Sequence, residues 1–427
     1  MYQHTLTTLK NGLRLITVPM PQVESVTVMV GVGAGARYET RRINGLSHFI
    51  EHMAFKGTKK RPSTLAISSA VDSVGGVFNA YTDKEFTSYF VKLPADKLSL
   101  ALDILSDMTV NSLFKKEEIE RERGVIIEEI NMREDTPMTK VAIDFERLIY
   151  GDNPLGWDIG GEKEIVGKIQ RADFFEYLAR LYYAGNMALA IAGGIGVNQG
   201  GQLAKLIEGY FGNLRKTGQK QSEHININQI KPRIDSFYKK TEQAHFCLGV
   251  PGYNLFNPRR YALAVMTAIL GGGMSSRLFT EIRERRGLAY YVGADLDFRT
   301  DVGFLVSRVG VKLTKIEEAI KVILAEMQKM ASKKVDIKEL NVAKEMLKGH
   351  LLLSQEDTFN VAERHLTQLI LEKEIRPYKE VLRLIDRVTV DDVLQVAKDL
   401  FKPEKLNLAI VGPFKDKKRF SKILKSG

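Results

Sequence analysis

His48-Phe49-Ile50-Glu51-His52 is the stretch whose residue types and spacing could do chemistry. On a helix, positions four apart fall about 40° apart around the axis, so His48 and His52 project from one face. Two neutral imidazoles at that separation can share one zinc ion. Glu51 lies on the adjoining part of the face, where a carboxylate can take a proton from a water activated at the metal. The local sequence supports a helix: Asn44 is the expected N-cap, Leu46 to Phe55 is helix-compatible, and Gly57 can end it. The competing reading is two ordinary histidines beside a glutamate.

A third ligand shifts that balance, and Glu117 to Glu129 supplies candidates on a long helix running into Val125-Ile126-Ile127. Glu122 and Glu129 are seven apart and share nearly one face. A carboxylate beside apolar residues is poorly solvated, which is unfavourable unless a cation compensates. Glu128 is the alternative in register, pointing about 100° away.

The order His-x-x-Glu-His is that of the inverted zinc-protease motif. Together with the glutamate helix it resembles the pitrilysin/insulinase family, which includes the mitochondrial processing peptidases. The resemblance runs through most of the chain. It implies a zinc-dependent endopeptidase with His48, His52 and Glu129 as the metal ligands, Glu51 as general base and Glu122 in support. Short or unfolded peptides would be cut inside an enclosed chamber. In the segment Asn79-Ala80-Tyr81-Thr82, with Asn79, Ala80 and Tyr81 as its substrate-binding residues, the family has a strand at the cleft edge to which substrate adds as a further strand. Such addition uses backbone hydrogen bonds and tolerates many sequences. Without the family, the same residues read as an edge or core strand.

Those side chains need elements to position them. At 427 residues the chain has material for two to three domains. Thr5 to Val18 reads as two strands around Asn11-Gly12, and Ser25 to Val32 as a further strand. Gly31-Val32-Gly33-Ala34-Gly35-Ala36 loosely matches a dinucleotide fingerprint. No helix opens directly on the glycines, so close packing explains the run better. Val77 to Thr82 and Thr87 to Val91 form a hairpin around Asp83-Lys84.

The second half repeats the first. Leu181 to Gly193 recurs as Leu400 to Gly412, Glu134-Asp135-Thr136 as Glu356-Asp357-Thr358, and Arg41-Arg42 as Arg259-Arg260. The expected fold class is therefore α+β: two homologous domains, each a mostly antiparallel sheet packed by helices. The division is 1–215 for the zinc domain, 216–233 for a polar linker and 234–427 for the second copy. The same offsets carry His48, Glu51 and His52 onto Met266, Ile269 and Leu270, and Glu129 onto Leu351. The second copy cannot hold a metal in this way. The resemblance gives it a different role, in which Arg283 anchors a substrate carbonyl, Tyr290 donates to the oxyanion, and the glycine-rich Gly271-Gly272-Gly273 helix entry contacts substrate.

Lys and Arg exceed Asp and Glu by 63 to 52. The excess is spread through mixed helices without an aromatic-studded basic stripe, so no nucleic-acid partner is expected. Met1 to Pro19 shows no targeting pattern, and no apolar run approaches the ~18 residues of a membrane span. The cytoplasm is the expected compartment, with no membrane partner. A single cysteine, Cys247, excludes internal disulfides. The resemblance implies pairing, since members of this length form homodimers or join an inactive homologue. The alternative function is a non-catalytic structural or partner subunit, since inactive relatives exist; they lose ligands or the base, and this chain keeps all four residues.

Overall fold

A computed structural model describes residues 2–196 and 200–426, so Met1, 197–199 and Gly427 of the two expected domains lie outside the described residues. Two compact units emerge, and neither is a continuous stretch of chain. The first comprises Met1–Ile130, Trp157–Ser222 and Leu352–Arg376; the second comprises Asn131–Gly156, Glu223–Leu351 and Pro377–Gly427.

Among the described residues, the first unit's sheet has six strands: β1 (Thr5–Thr8), β2 (Arg14–Pro19), β3 (Ser25–Val32), β4 (Val77–Thr82), β5 (Thr87–Pro94) and β6 (Met187–Gly193). Their spatial order is β1-β2-β6-β3-β5-β4, antiparallel except for β2 against β6. β6 shows why the sheet is two-faced. Met187, Leu189 and Ile191 enter one core, while Ala188, Ala190 and Ala192 enter another. Strand alternation sends the large residues one way and the small ones the other. The large side meets the histidine helix Leu46–Ala54 and the helices Leu98–Val110 and Arg171–Leu181. The alanine side meets a helix from far along the chain, Thr358–Thr367, through Val361, Ala362 and Leu366. A side chain at Gly31 would clash with Leu366, its Cβ only 2.9 Å from that leucine's Cγ.

The second unit repeats this plan with β7 (Arg233–Tyr238), β8 (Gln243–Pro251), β9 (Ala289–Phe298), β10 (Gly303–Lys312) and β11 (Asn407–Gly412), in the order β7-β11-β8-β10-β9. Again one pair, β7 with β11, is parallel. Leu408 and Ile410 face one core; Ala409 and Val411 face the other. The second face is covered by the helix Pro137–Tyr150, whose Phe145 packs edge-on against Phe304 at 5.3 Å. Cys247 is buried in this layer, and burial pushes its thiol up to about 12. Met266, Ile269 and Leu270 are all core residues.

Each sheet thus takes the helix on its second face from the other half of the sequence. The contiguous ranges 1–215 and 234–427 follow the repeat, but the compact units do not. The repeated Glu-Asp-Thr motif marks the start of the exchanged helix in both halves: Thr136 and Asp357 are the N-caps. The interval 216–233 also differs from a free linker. Gly185 donates to Lys216 O, Gln219 donates to Arg180 O, and Lys220 stacks over the Tyr38 ring. Burial lowers the Lys220 ammonium to about 8; Glu85 opposes the shift and neighbouring cations add to it. Gly271 lies at the end of the helix Arg260–Gly271, not at a helix entry, and a Cβ there would lie 2.5 Å from Ala294 N. No helix among the described residues is long and apolar enough to cross a membrane.

Asp357 makes the exchanged helix testable. Its Oδ1 accepts from Phe359 and Asn360 backbone N–H groups at 2.8 and 3.2 Å, and its Oδ2 accepts from Lys92 at 2.6 Å. Burial pushes the carboxyl up, but Lys92 and the backbone donors outweigh it and hold it below its usual range. Its stabilising contribution is therefore present above the unfolded-state value and fades as pH falls below about 4. Asp357→Ala should cost about 1 kcal/mol at neutral pH, the usual scale for a lost N-cap. Urea melts at pH 7 and at about pH 3.5 should show that deficit shrinking in acid.

Candidate metal centre

The histidine helix begins differently from the sequence expectation. Gly45, at φ 96°, is the N-cap, and Asn44 instead donates its side-chain amide to Glu39 and to Asp158 O. The capping carboxylate comes from Glu39. Its Oε1 accepts from Ser47 N–H at 2.7 Å and Ser47 Oγ–H at 2.6 Å, and its Oε2 accepts from Gly45 N–H at 2.9 Å. Burial raises the Glu39 carboxyl, and these hydrogen bonds offset only part of that rise. An anion against orphan N–H groups at a helix start is favourable, and here it fixes where the helix begins. A Cβ at Gly45 would sit 2.7 Å from Gly160 O, so the loop carrying Asp158 also needs this glycine.

On that helix Phe49, Ile50 and Met53 are buried, turning His48 and His52 to the opposite side. The glutamate helix spans Lys116–Asp135 and is anchored by Ile119, Ile126 and Ile130. Glu122 and Glu129 share its inner side, while Glu128 is exposed. His48 Nε2 and His52 Nε2 are 3.2 Å apart, and Glu129 Oε2 lies 3.6 and 3.5 Å from them. Among the described residues, these three form the one group of ligand-type side chains whose donor atoms all lie within 4.8 Å of one another.

The residues fit zinc. A tetrahedral ion with ligand distances of about 2.0–2.1 Å needs donor atoms about 3.4 Å apart, and two imidazoles with one carboxylate leave a fourth position open. The tautomer also fits. His52 Nδ1 is 2.8 Å from Glu122 Oε1, so its ring proton sits there and Nε2 keeps its lone pair. Glu122 Oε2 accepts from Lys56 at 2.6 Å. Burial pushes the Glu122 carboxyl up, but His52 and Lys56 outweigh it and hold it below its usual range.

Glu51 is half-buried, and its Oε2 accepts from Thr82 Oγ at 2.6 Å. Its charge adds to burial in raising the buried Tyr89 and Tyr182 phenols, whose oxygens are 3.0 Å apart. β4 is an edge strand, with β5 as its neighbour. Ala80 faces the core that holds the histidine helix, Asn79 is exposed, and Tyr81 donates to Glu363 Oε1 at 2.8 Å. Arg283 and Tyr290 belong to the second unit. There the Arg283 guanidinium donates to Tyr290 O at 3.1 Å, and Tyr290 is 55% exposed.

Sequence reasoning missed Glu39 and Lys56, and it read Thr82 only as part of the cleft-edge strand. Lys56 carried a signal, being four residues beyond His52. Thr82 shares strand parity with Ala80, which points both at the histidine helix. Glu39 had no signal, because its role depends on a loop that turns back onto the helix start.

A helix-borne pair of histidines, a carboxylate from a second helix and a glutamate beside the second histidine make up a candidate metal centre. Comparisons with known proteins give the family. Residues 14–160 match the family model "Insulinase (Peptidase family M16)", and residues 168–347 match "Peptidase M16 inactive domain". An uncharacterized zinc protease of Streptomyces coelicolor is 35% identical over 96% of this chain and 90% of its own length. Another from Bacillus subtilis is 33% identical over 95% and 97%. The chain belongs to the insulinase family, peptidase family M16. Its fold matches that of a protease from Helicobacter pylori, with a TM-score of 0.89 at 22% identity over 97% of this chain and 100% of that one.

The ligand assignment has a direct test. His48→Ala or Glu129→Gln should reduce bound zinc far below one per chain, measured by metal analysis after dialysis. Glu128→Gln should leave it nearly intact; the reverse pattern would move the third ligand by one residue.

Proposed function

We propose that the chain is a zinc-dependent endopeptidase acting on short or unfolded peptides, with His48, His52 and Glu129 as ligands. The observation that carries this reading is the convergence of three donor atoms at 3.2–3.6 Å, with Glu51 on the same helix turn. Zinc bound there would supply Lewis acidity, lowering the pKa of water and polarising a peptide carbonyl.

Glu51 takes the proton of the attacking water and returns it to the leaving amine, a role that suits a half-buried carboxylate oriented by a hydroxyl. Glu122 and Lys56 hold His52 in the tautomer that presents Nε2. The free edge of β4 accepts an extended peptide through its backbone, with Asn79, Ala80 and Tyr81 along the contact. Arg283 holds a substrate carbonyl and Tyr290 donates to the developing oxyanion; the exposure of Tyr290 leaves its hydroxyl available for that. Substrate is enclosed in a chamber, and the working form is a pair, either of two copies or with an inactive homologue. Retention of all three ligands and the base favours this reading over a non-catalytic subunit.

Glu51→Gln preserves shape and removes the base. Zinc should stay near one per chain while cleavage of an unstructured peptide mixture falls by at least ~10²-fold. Tyr290→Phe should lower kcat by roughly 10²–10³-fold, the scale of a lost oxyanion donor, without changing zinc content. A Glu51→Gln variant that still cleaves would refute the mechanism, and an unaffected Tyr290→Phe would remove that residue from it.

A further inference from the structure

The hairpin tip between β4 and β5 is buried, whereas such tips ordinarily lie in solvent. Lys84 is 2% exposed, Glu85 0% and Phe86 7%. Three contacts seat it. Arg37 N–H donates to Lys84 O at 2.8 Å, and the Arg37 guanidinium pairs with Glu85 at 3.0 Å, both side chains buried. The Lys84 ammonium donates to Trp157 O. Gly35 permits this approach, since a Cβ there would lie 2.3 Å from Asp83 O and 2.6 Å from Lys84 O. Within the glycine run, Gly35 therefore serves backbone packing, while Gly31 and Gly33 make room for the Leu366, Asn186 and Lys220 side chains.

Burying charged residues at a turn is costly unless every group is paired, and it fixes the strand ends that flank the turn. Those ends are Thr82 and Thr87, cross-strand partners. Thr87 Oγ donates to Ala34 O at 3.0 Å and lies 3.5 Å from Thr82 Oγ. The Thr82 hydroxyl donates to Glu51 at 2.6 Å. An ionised carboxylate only accepts, so the direction of this charge-assisted bond is set.

We infer that Thr82 is a positioning residue for Glu51: the clamped hairpin holds its hydroxyl, and the hydroxyl holds the carboxylate in one orientation before substrate arrives. This rests on the reading of Glu51 as general base. A glutamate has three rotatable side-chain bonds, and an unfixed one would spend much of its time away from the reacting water.

Thr82→Val keeps the β-branched shape and removes the donor, while Thr82→Ser keeps the donor. In Thr82→Val, kcat should fall roughly 10- to 100-fold with KM within about twofold and zinc content unchanged. Thr82→Ser should retain most of the wild-type kcat. In metal-free protein, Thr82→Val should lower Tm when Glu51 is present and leave it unmoved in a Glu51→Ala background, because the bond is already gone. A wild-type kcat in Thr82→Val, equal impairment in Thr82→Ser, or additive losses of Tm would each overturn the inference. Glu51→Gln separates the two claims. If it is inert while Thr82→Val is normal, only the positioning role fails; if it is active, the base assignment itself fails.

Discussion

The bond between Glu122 and His52 is the contact on which the centre depends. Two imidazoles and a carboxylate brought within 3.6 Å of one another are poorly hydrated, and nothing in the main chain of either helix requires them to meet. Glu122 joins the helices by accepting the His52 ring N–H at 2.8 Å, which fixes both the ring plane and the nitrogen left to bind. Lys56 balances the charge of that carboxylate. At the other end of the histidine helix, Glu39 sets the first turn. A register error at either end would rotate His48 and His52 away from Glu129. The centre is therefore held together by two buried acids, Glu39 and Glu122, that lie outside the group of converging donor atoms.

Much of this was legible from spacing. Histidines four apart and glutamates seven apart share a helix face by geometry alone, which required only that both segments be helical. The duplication was legible too, because Leu181–Gly193 and Leu400–Gly412 preserve strand alternation twice. What spacing could not reveal were contacts made across loops. Asn44 is the residue type that caps helices, yet Glu39 takes that role because the chain between them folds back. Asn79 to Thr82 read as a cleft-edge strand, but the bond from Thr82 to Glu51 depends on how that strand faces the histidine helix. The contiguous domain ranges followed the repeat and missed the exchange, since nothing local tells a helix which sheet it will cover.

The duplication also shows how one plan supports different chemistry. By the offset of the sequence repeat, Met266, Ile269 and Leu270 of the second unit correspond to the histidines and Glu51, and all three are core residues. Replacing ligands with large apolar residues converts a polar cleft wall into ordinary core, which removes the cost of burying unpaired polar groups. The sheet and its layers are unchanged by the conversion. The candidate metal centre rests on a few side chains from two helices and is separable from the fold.

The exchanged helices bear on how the chain is made. β6 ends at Gly193, but the helix that covers its alanine face ends at Thr367, 174 residues later. At ~5–20 residues per second, the ribosome takes roughly 9–35 s to deliver it. Through that interval the nascent first sheet presents Ile16, Val18 and Met29 on an uncovered face. Synthesis of this protein therefore passes through a stage in which a nearly complete sheet is exposed and dependent on a segment not yet translated. The length of that window is set by topology rather than by the stability of the finished molecule.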